Sequence, residues 1–258
     1  MTEIQKTFGP EIETFKSTIT DLNLLKKLLR LASNFLNECD IELKGNDIMM
    51  RAMDSTRIIM LDMKIHEIIE DPLEIKLNFN LRDLRSILNF MKQDTLDFEL
   101  DRKRIKIKNS SKSFTLQSLS LYEEDIPIES LESIKYSRIH ELSWKTFKEI
   151  LREAQFYSNV IEIAFDAKGL KFKNRGSHGK YNRNEGMEER DDSSTYDISL
   201  LNKVLTGTMK LFTEPFTIKI GKDVPLCIVQ ENSTYSVKTW IAPRVEEANF
   251  NDDEEDED

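Results

Sequence analysis

Asn80-Leu81-Arg82-Asp83-Leu84-Arg85-Ser86-Ile87-Leu88-Asn89-Phe90-Met91 is echoed 119 residues later by the stretch that opens Ser199-Leu200-Leu201-Asn202-Lys203-Val204-Leu205. In both, apolar residues return every three or four positions and the polar ones gather on the other side, the pattern of a helix laid on a sheet. Outward from these two stretches the chain reads alike twice. Before the first lie a helix over 22–36, capped by Asp21, and strands near 39–43, 48–52, 57–65 and 73–79. After it come strands near 95–100, 104–108 and 114–119. The second half runs strand 139–142, helix 144–156 capped by Ser143, strands 160–165 and 170–173, helix 200–212, and strands 216–220, 224–229 and 235–241. An echo of this length indicates a duplicated domain rather than a solenoid.

The expected fold class is α+β: two similar domains, each an antiparallel sheet with two helices on one face. The expected boundaries are an N-terminal extension over 1–14, domains over 15–120 and 136–247, a connecting loop over 121–135, and an acidic tail over 248–258. The connecting stretch Tyr122-Glu123-Glu124-Asp125-Ile126-Pro127-Ile128-Glu129 is acidic and lacks a sustained helical period, so it reads as extended.

Composition narrows the function. The 258 residues are 39% hydrophobic, enough for cores of this size. Cys39 and Cys227 each fall in an expected strand, which suits a reduced intracellular protein, and no Cys/His framework for zinc exists. No apolar run approaches membrane-spanning length and the start lacks a signal-peptide layout, so a soluble protein without a membrane partner is expected. The net charge is −10, but seven acids lie in the last eight residues, Asn251 to Asp258, a tail expected not to fold.

The helices carry the opposite sign. Lys26, Lys27 and Arg30 oppose Leu24, Leu25, Leu28, Leu31, Ala32 and Phe35 on the first. Arg82, Arg85 and Lys92 gather on the second, Lys145, Lys148 and Arg152 on the third, and Lys203 and Lys210 on the fourth. The four stretches hold eleven bases against three acids, Asp83, Glu149 and Glu153. One such face alone is the ordinary polar side of an amphipathic helix. Four in an acidic chain imply a surface kept clear of acid, suited to duplex DNA and to contact with its phosphates without reading sequence.

Short motifs extend this reading. Asp47-Ile48-Met49-Met50-Arg51-Ala52-Met53-Asp54-Ser55-Thr56-Arg57 resembles the strand–turn–strand signature of the proliferating cell nuclear antigen family. Asp223-Val224-Pro225-Leu226 and Trp240-Ile241-Ala242-Pro243-Arg244-Val245-Glu246 resemble its closing motifs, and Phe147-Lys148-Glu149-Ile150-Leu151-Arg152-Glu153 with Gly169-Leu170-Lys171-Phe172 match in the second half. The resemblance runs from about Phe15 to Glu247. It implies a DNA sliding clamp and polymerase processivity factor, a trimeric ring of six domains with helices inside and sheets outside. It implies no catalysis and no cofactor. The implied partners are double-stranded DNA, two further copies of the chain, a clamp loader, DNA polymerase, flap endonuclease and DNA ligase, in replication and repair. The implied location is the nucleus in a eukaryote or a nucleus-replicating virus, and the cytoplasm otherwise. By the same resemblance, clients insert a short motif into a pocket of Met53, Met60, Ile128, Leu131, Pro225, Trp240, Ala242 and Pro243.

The family pattern also places an edge strand at Gly176-Ser177-His178-Gly179-Lys180-Tyr181-Asn182-Arg183-Asn184, whose polarity and glycines make it a poor strand by propensity. A checkpoint-type clamp, one subunit of a heterotrimer, and an acidic scaffold without DNA binding are the alternatives. An enzyme finds little support: Asp47, Asp54 and Asp62 lack a histidine partner, His66, His140 and His178 are isolated, and no phosphate loop or nucleophile elbow occurs.

Overall fold

The computed structural model describes residues 14–34, 36–101, 103–109, 111–121, 126–166, 168–177, 179–187, 192–208 and 215–244. The expected N-terminal extension to residue 13, the acidic tail, Phe35, His178, Lys210 and Phe212 lie outside them.

The first half runs β1 (Phe15–Ile19), α1 (Leu22–Ala32), β2 (Glu38–Gly45), β3 (Asp47–Met53), β4 (Ile59–Ile65), β5 (Leu73–Asn80), α2 (Leu81–Phe90), β6 (Leu96–Asp101), β7 (Arg104–Lys108) and β8 (Ser113–Gln117). A short α3 (Ile128–Glu132) follows. The second half runs β9 (Arg138–Leu142), α4 (Trp144–Gln155), β10 (Val160–Phe165), β11 (Leu170–Gly176), β12 (Gly179–Glu185), β13 (Asp192–Asp197), α5 (Ile198–Thr208), β14 (Phe216–Ile220), β15 (Leu226–Glu231) and β16 (Tyr235–Ile241).

The long helices begin where side chains replace missing backbone partners. Asp21 Oδ1 accepts from Leu24 N at 2.8 Å, Asn80 Oδ1 from Arg82 N and Asp83 N at 3.1 and 3.2 Å, and Ser143 Oγ from Thr146 N at 3.0 Å. Asp197 Oδ1 caps α5, accepting from Ser199 N at 2.7 Å.

The repeated α+β architecture is present, with every named strand pair antiparallel. Two four-stranded sheets, β1-β6-β7-β8 and β12-β11-β10-β13, flank an eight-stranded sheet ordered β5-β2-β3-β4-β16-β15-β14-β9. That large sheet crosses between the halves at β4–β16, where Ile59 pairs with Ile241 and Ile65 with Tyr235. A first core gathers Leu28, Leu31, Met50, Leu61, Leu84 and Phe98, and a second Phe147, Ile163, Phe172, Leu201 and Phe216.

One sequence expectation needs correction, and two strands form where residue propensity gave little sign of them. The connecting stretch contains the helix α3, because Ile128 and Leu131, three apart, both anchor on an apolar patch of the sheet. The polar run Asp192–Asp197 carried no strand signal, yet β13 pairs along its whole length with β10, Asp197 facing Val160 and Asp192 facing Phe165. The unpromising edge segment forms β12, in register with β11 from Lys171–Asn184 to Gly176–Gly179. Its glycines are required there. A Cβ on Gly176 would sit 1.7 Å from the Tyr157 carbonyl oxygen, and Gly179 has φ +146°.

Candidate functional site

α1 packs on α2 and, across the halves, on α5, while α5 packs on α4. The four helices therefore form one layer, α2-α1-α5-α4, against one side of the sheets. This adjacency brings the described basic residues of the four helices onto one layer.

Lys27, Arg30, Arg82, Lys145, Lys148, Arg152 and Lys203 are exposed on that layer, and Lys92 is exposed two residues beyond the end of α2. Among the described residues none of the eight makes an ion pair within 4.0 Å. Two others are partly committed. Lys26 Nζ donates to Met91 O at 2.6 Å, closing the end of α2, and burial draws its pKa down against the pull of Asp94. Arg85 Nη1 donates to Ser33 Oγ and ties α2 to α1.

The acids of α4 are occupied by a residue the charge reading missed. Arg183, on β12, lies 4.0 Å from Glu149 and 3.8 Å from Glu153, and Glu153 also accepts from Tyr181 Oη at 3.0 Å. Only strand register brings these groups together, so helix periodicity gave no sign of them.

The second cluster lies on the opposite face of the large sheet. Register sets Met53 beside Met60, Met60 beside Trp240, and Trp240 beside Cys227, a row across β3, β4, β16 and β15. Ile128 and Leu131 of α3 cover it, leaving Met60, Trp240 and Ile128 only 4%, 3% and 8% exposed. Burial pushes the Cys227 thiol up to about 11 and raises Tyr136 as well. Beside them a cavity of about 230 Å³ is lined by Leu131, Tyr136, Lys219, Cys227, Lys238 and Trp240. Glu132 Oε1 accepts from Lys238 Nζ at 2.5 Å, strapping α3 to β16.

Pro225, Ala242 and Pro243 stand outside this apolar cluster, half-buried at strand ends. Pro225 and Ala242 lie two residues beyond Cys227 and Trp240, hence on the same face. Ala242 N donates to Ile58 O at 2.9 Å, adding the exposed Ile58 to that rim. Sequence reading passed over Ile58, an apolar residue directly after the Arg57 turn. The eight expected pocket residues thus divide into three in the covered row (Met53, Met60 and Trp240), two of α3 that cover it (Ile128 and Leu131), and an open rim of three.

The carboxylates considered for catalysis serve separate structural ends. Asp47 bonds Lys64 at 2.8 Å, Asp62 bonds Arg51 at 3.0 Å, and Asp54 Oδ1 accepts from Ile58 N and Ile59 N at 2.8 and 2.7 Å.

No family model matches the sequence. The DNA polymerase sliding clamp of Thermococcus fumicolans is 26% identical over 242 residues, covering 85% of this chain and 94% of the relative. That of Methanococcus maripaludis strain C5 is 22% identical over 240 residues, covering 86% and 95%. Among solved structures, A. fulgidus PCNA bound to the C-terminal region of FEN-1 superposes with a TM-score of 0.75 at 17% identity, covering 90% of this chain and 99% of that one.

Proposed function

We propose that this chain, placed in the sliding-clamp superfamily by near-full-length sequence similarity and fold, is a non-catalytic clamp that encircles duplex DNA and tethers replication enzymes. The observation that carries the reading is the single layer α2-α1-α5-α4, which with its immediate flank at Lys92 holds eight exposed bases that make no ion pair among the described residues, in a chain of net charge −10. Duplex DNA carries one phosphate per about 1.7 Å of axis, so a basic lining attracts it at any sequence.

Closure into a ring of three copies is supported by the sheet edges. β8 and β12 are terminal strands of their sheets. The opposite edges are met by backbone: Glu70 N donates to Thr18 O of β1 at 3.0 Å, and Arg244 N to Thr195 O of β13 at 2.8 Å. An open strand edge recruits another strand. β8 is flanked by the stacked pair Phe90–Phe114 and β12 by Phe156–Tyr157, with Phe90 and Phe156 56% and 76% exposed. Unlike edges at two ends make a head-to-tail contact, which closes when its rotation closes.

For clients, the half-exposed rim of Ile58, Pro225 and Ala242 is the open landing place, and α3 is the movable cover. A short motif with aliphatic and aromatic anchors displaces Ile128 and Leu131 from the Met60–Trp240 row. Polymerase, flap endonuclease and ligase are the expected clients, and an ATP-driven loader the expected opener of the ring.

The test exchanges Lys27, Arg30, Arg82, Lys148, Arg152 and Lys203 for alanine. These side chains point into solvent, so fold and mass should persist. DNA affinity at 50 mM salt should fall by at least ~10-fold, and the slope of affinity against salt should flatten. Unchanged affinity and slope in the intact variant would refute the DNA-facing assignment.

A further inference from the structure

The face of the β10–β13 sheet turned away from α4 carries a second, separate basic surface. Alternation settles which side chains share it. Leu170, Phe172, Ile161 and Ile163 point into the core with Phe147 of α4. Their neighbours Lys171, Lys173 and Arg175 therefore point outward, and register puts Asn184, Asn182 and Lys180 beside them on β12. Arg175 and Lys180 are exposed. Among the described residues the acids on this face are Glu162, 3.6 Å from Lys173, and Asp197 at its far border, 4.0 Å from Arg244.

We propose that this surface is the docking site of the chain's own acidic segment, residues 251–258. Where the chain leaves the described structure argues for that occupant. Arg244 N donates to Thr195 O at 2.8 Å, so the backbone departs along the edge of β13, in the same sheet. From β13 to β12 is three strand spacings, roughly 15 Å. At least fourteen residues follow Arg244, with an extended reach of about 46 Å. The segment Asn251-Asp252-Asp253-Glu254-Glu255-Asp256-Glu257-Asp258 offers seven carboxylates to four cations, an excess that tolerates many registers. The contact is many-partnered and solvent-exposed, hence salt-sensitive. Docked there, the acids are held on the side of the sheet opposite α4, and other anions must displace them to reach Lys171 and Arg175. This inference does not depend on ring closure or on DNA.

The test is zero-length carbodiimide cross-linking of the full chain, with peptide mapping. At 50 mM salt, links from residues 252–258 to Lys171, Lys173 and Lys180 should exceed those to Lys145 and Lys148 on the helix layer at least fivefold. At 0.5 M salt they should fall at least fivefold. Arg175→Gln, which removes no reporter lysine, should about halve them. In a mixture of isotopically light and heavy copies, the linked peptides should come from one copy. Links spread evenly over surface lysines, links concentrated on Lys145 and Lys148, or links joining different copies would each overturn the proposal.

Discussion

Glu132 decides how firmly the apolar row is covered. Its hydrogen bond from Lys238 is the main cause of a pKa below the ordinary 4.5, with burial opposing and Arg51 and Lys219 assisting. Lys238 answers with a raised pKa: burial lowers it, and Glu132 more than compensates. A carboxyl depressed on folding contributes stability that is fully present above its unfolded value and lost as pH falls through the folded one. The strap should therefore hold at neutral pH and be lost progressively as pH falls below the ordinary 4.5 and through the depressed folded value. With the Glu132 side chain 47% exposed, solvent limits its worth to about 0.2–1 kcal/mol, or roughly 1.5–5-fold in an opening equilibrium. Glu132→Gln should accelerate amide exchange over residues 128–133 by that factor at pH 7, and the difference from the parent should shrink steadily as pH falls below 4.5. Equal exchange at pH 7 would mean that Ile128 and Leu131 alone hold α3. Trp240 is a poorer probe, because it is 3% exposed and its truncation leaves a core cavity costing about 3–5 kcal/mol.

At the scale of elements, the β11–β12 hairpin is the exposed edge on which the proposed self-association rests. Gly176→Ala forces a Cβ to within 1.7 Å of the Tyr157 carbonyl, so either the hairpin or the end of α4 must move. A cost of about 2–4 kcal/mol is expected, confined to the β12 side of the sheet. Sedimentation equilibrium should show self-association weakened at least tenfold while the eight-stranded sheet stays folded by circular dichroism. An unaltered association constant would show that β12 is not an interface strand. The elements also differ in how far the sequence revealed them. α1, α2 and α4 were legible because a 3.6-residue period coincided with a capping residue at Asp21, Asn80 and Ser143. β13 was not, because Asp-Ser-Ser-Thr-Tyr-Asp shows no apolar alternation, only Thr195 and Tyr196 favour a strand, and the segment is held by register with β10. α3 was hidden for a related reason: five residues are too few for a period, and the patch anchoring them comes from strands far away in the chain. The basic helix faces were readable one by one. Their union was not, since it depends on α1 meeting α5 across the two halves. For the expected pocket residues, nothing local in the sequence distinguishes the covered Met60 and Trp240 from the more open Pro225 and Ala242.

On the scale of the whole molecule, three features come together: a helix layer with a basic solvent side, two unlike sheet edges, and an apolar row beneath a strapped cover. Only a closed ring gives the first of these its use without tight binding, because a topological link holds DNA while individual phosphate contacts remain weak and screened within about 8 Å. The most direct measurement separates a link from an affinity. The protein is assembled on nicked circular DNA with an ATP-driven clamp loader, isolated with the DNA at 0.15 M salt, and the circle is then cut once. Encirclement predicts that the protein travels with the intact circle and is lost on linearisation, with blocked ends restoring retention. Equal retention on circular and open linear DNA, or loss from the uncut circle, would contradict it.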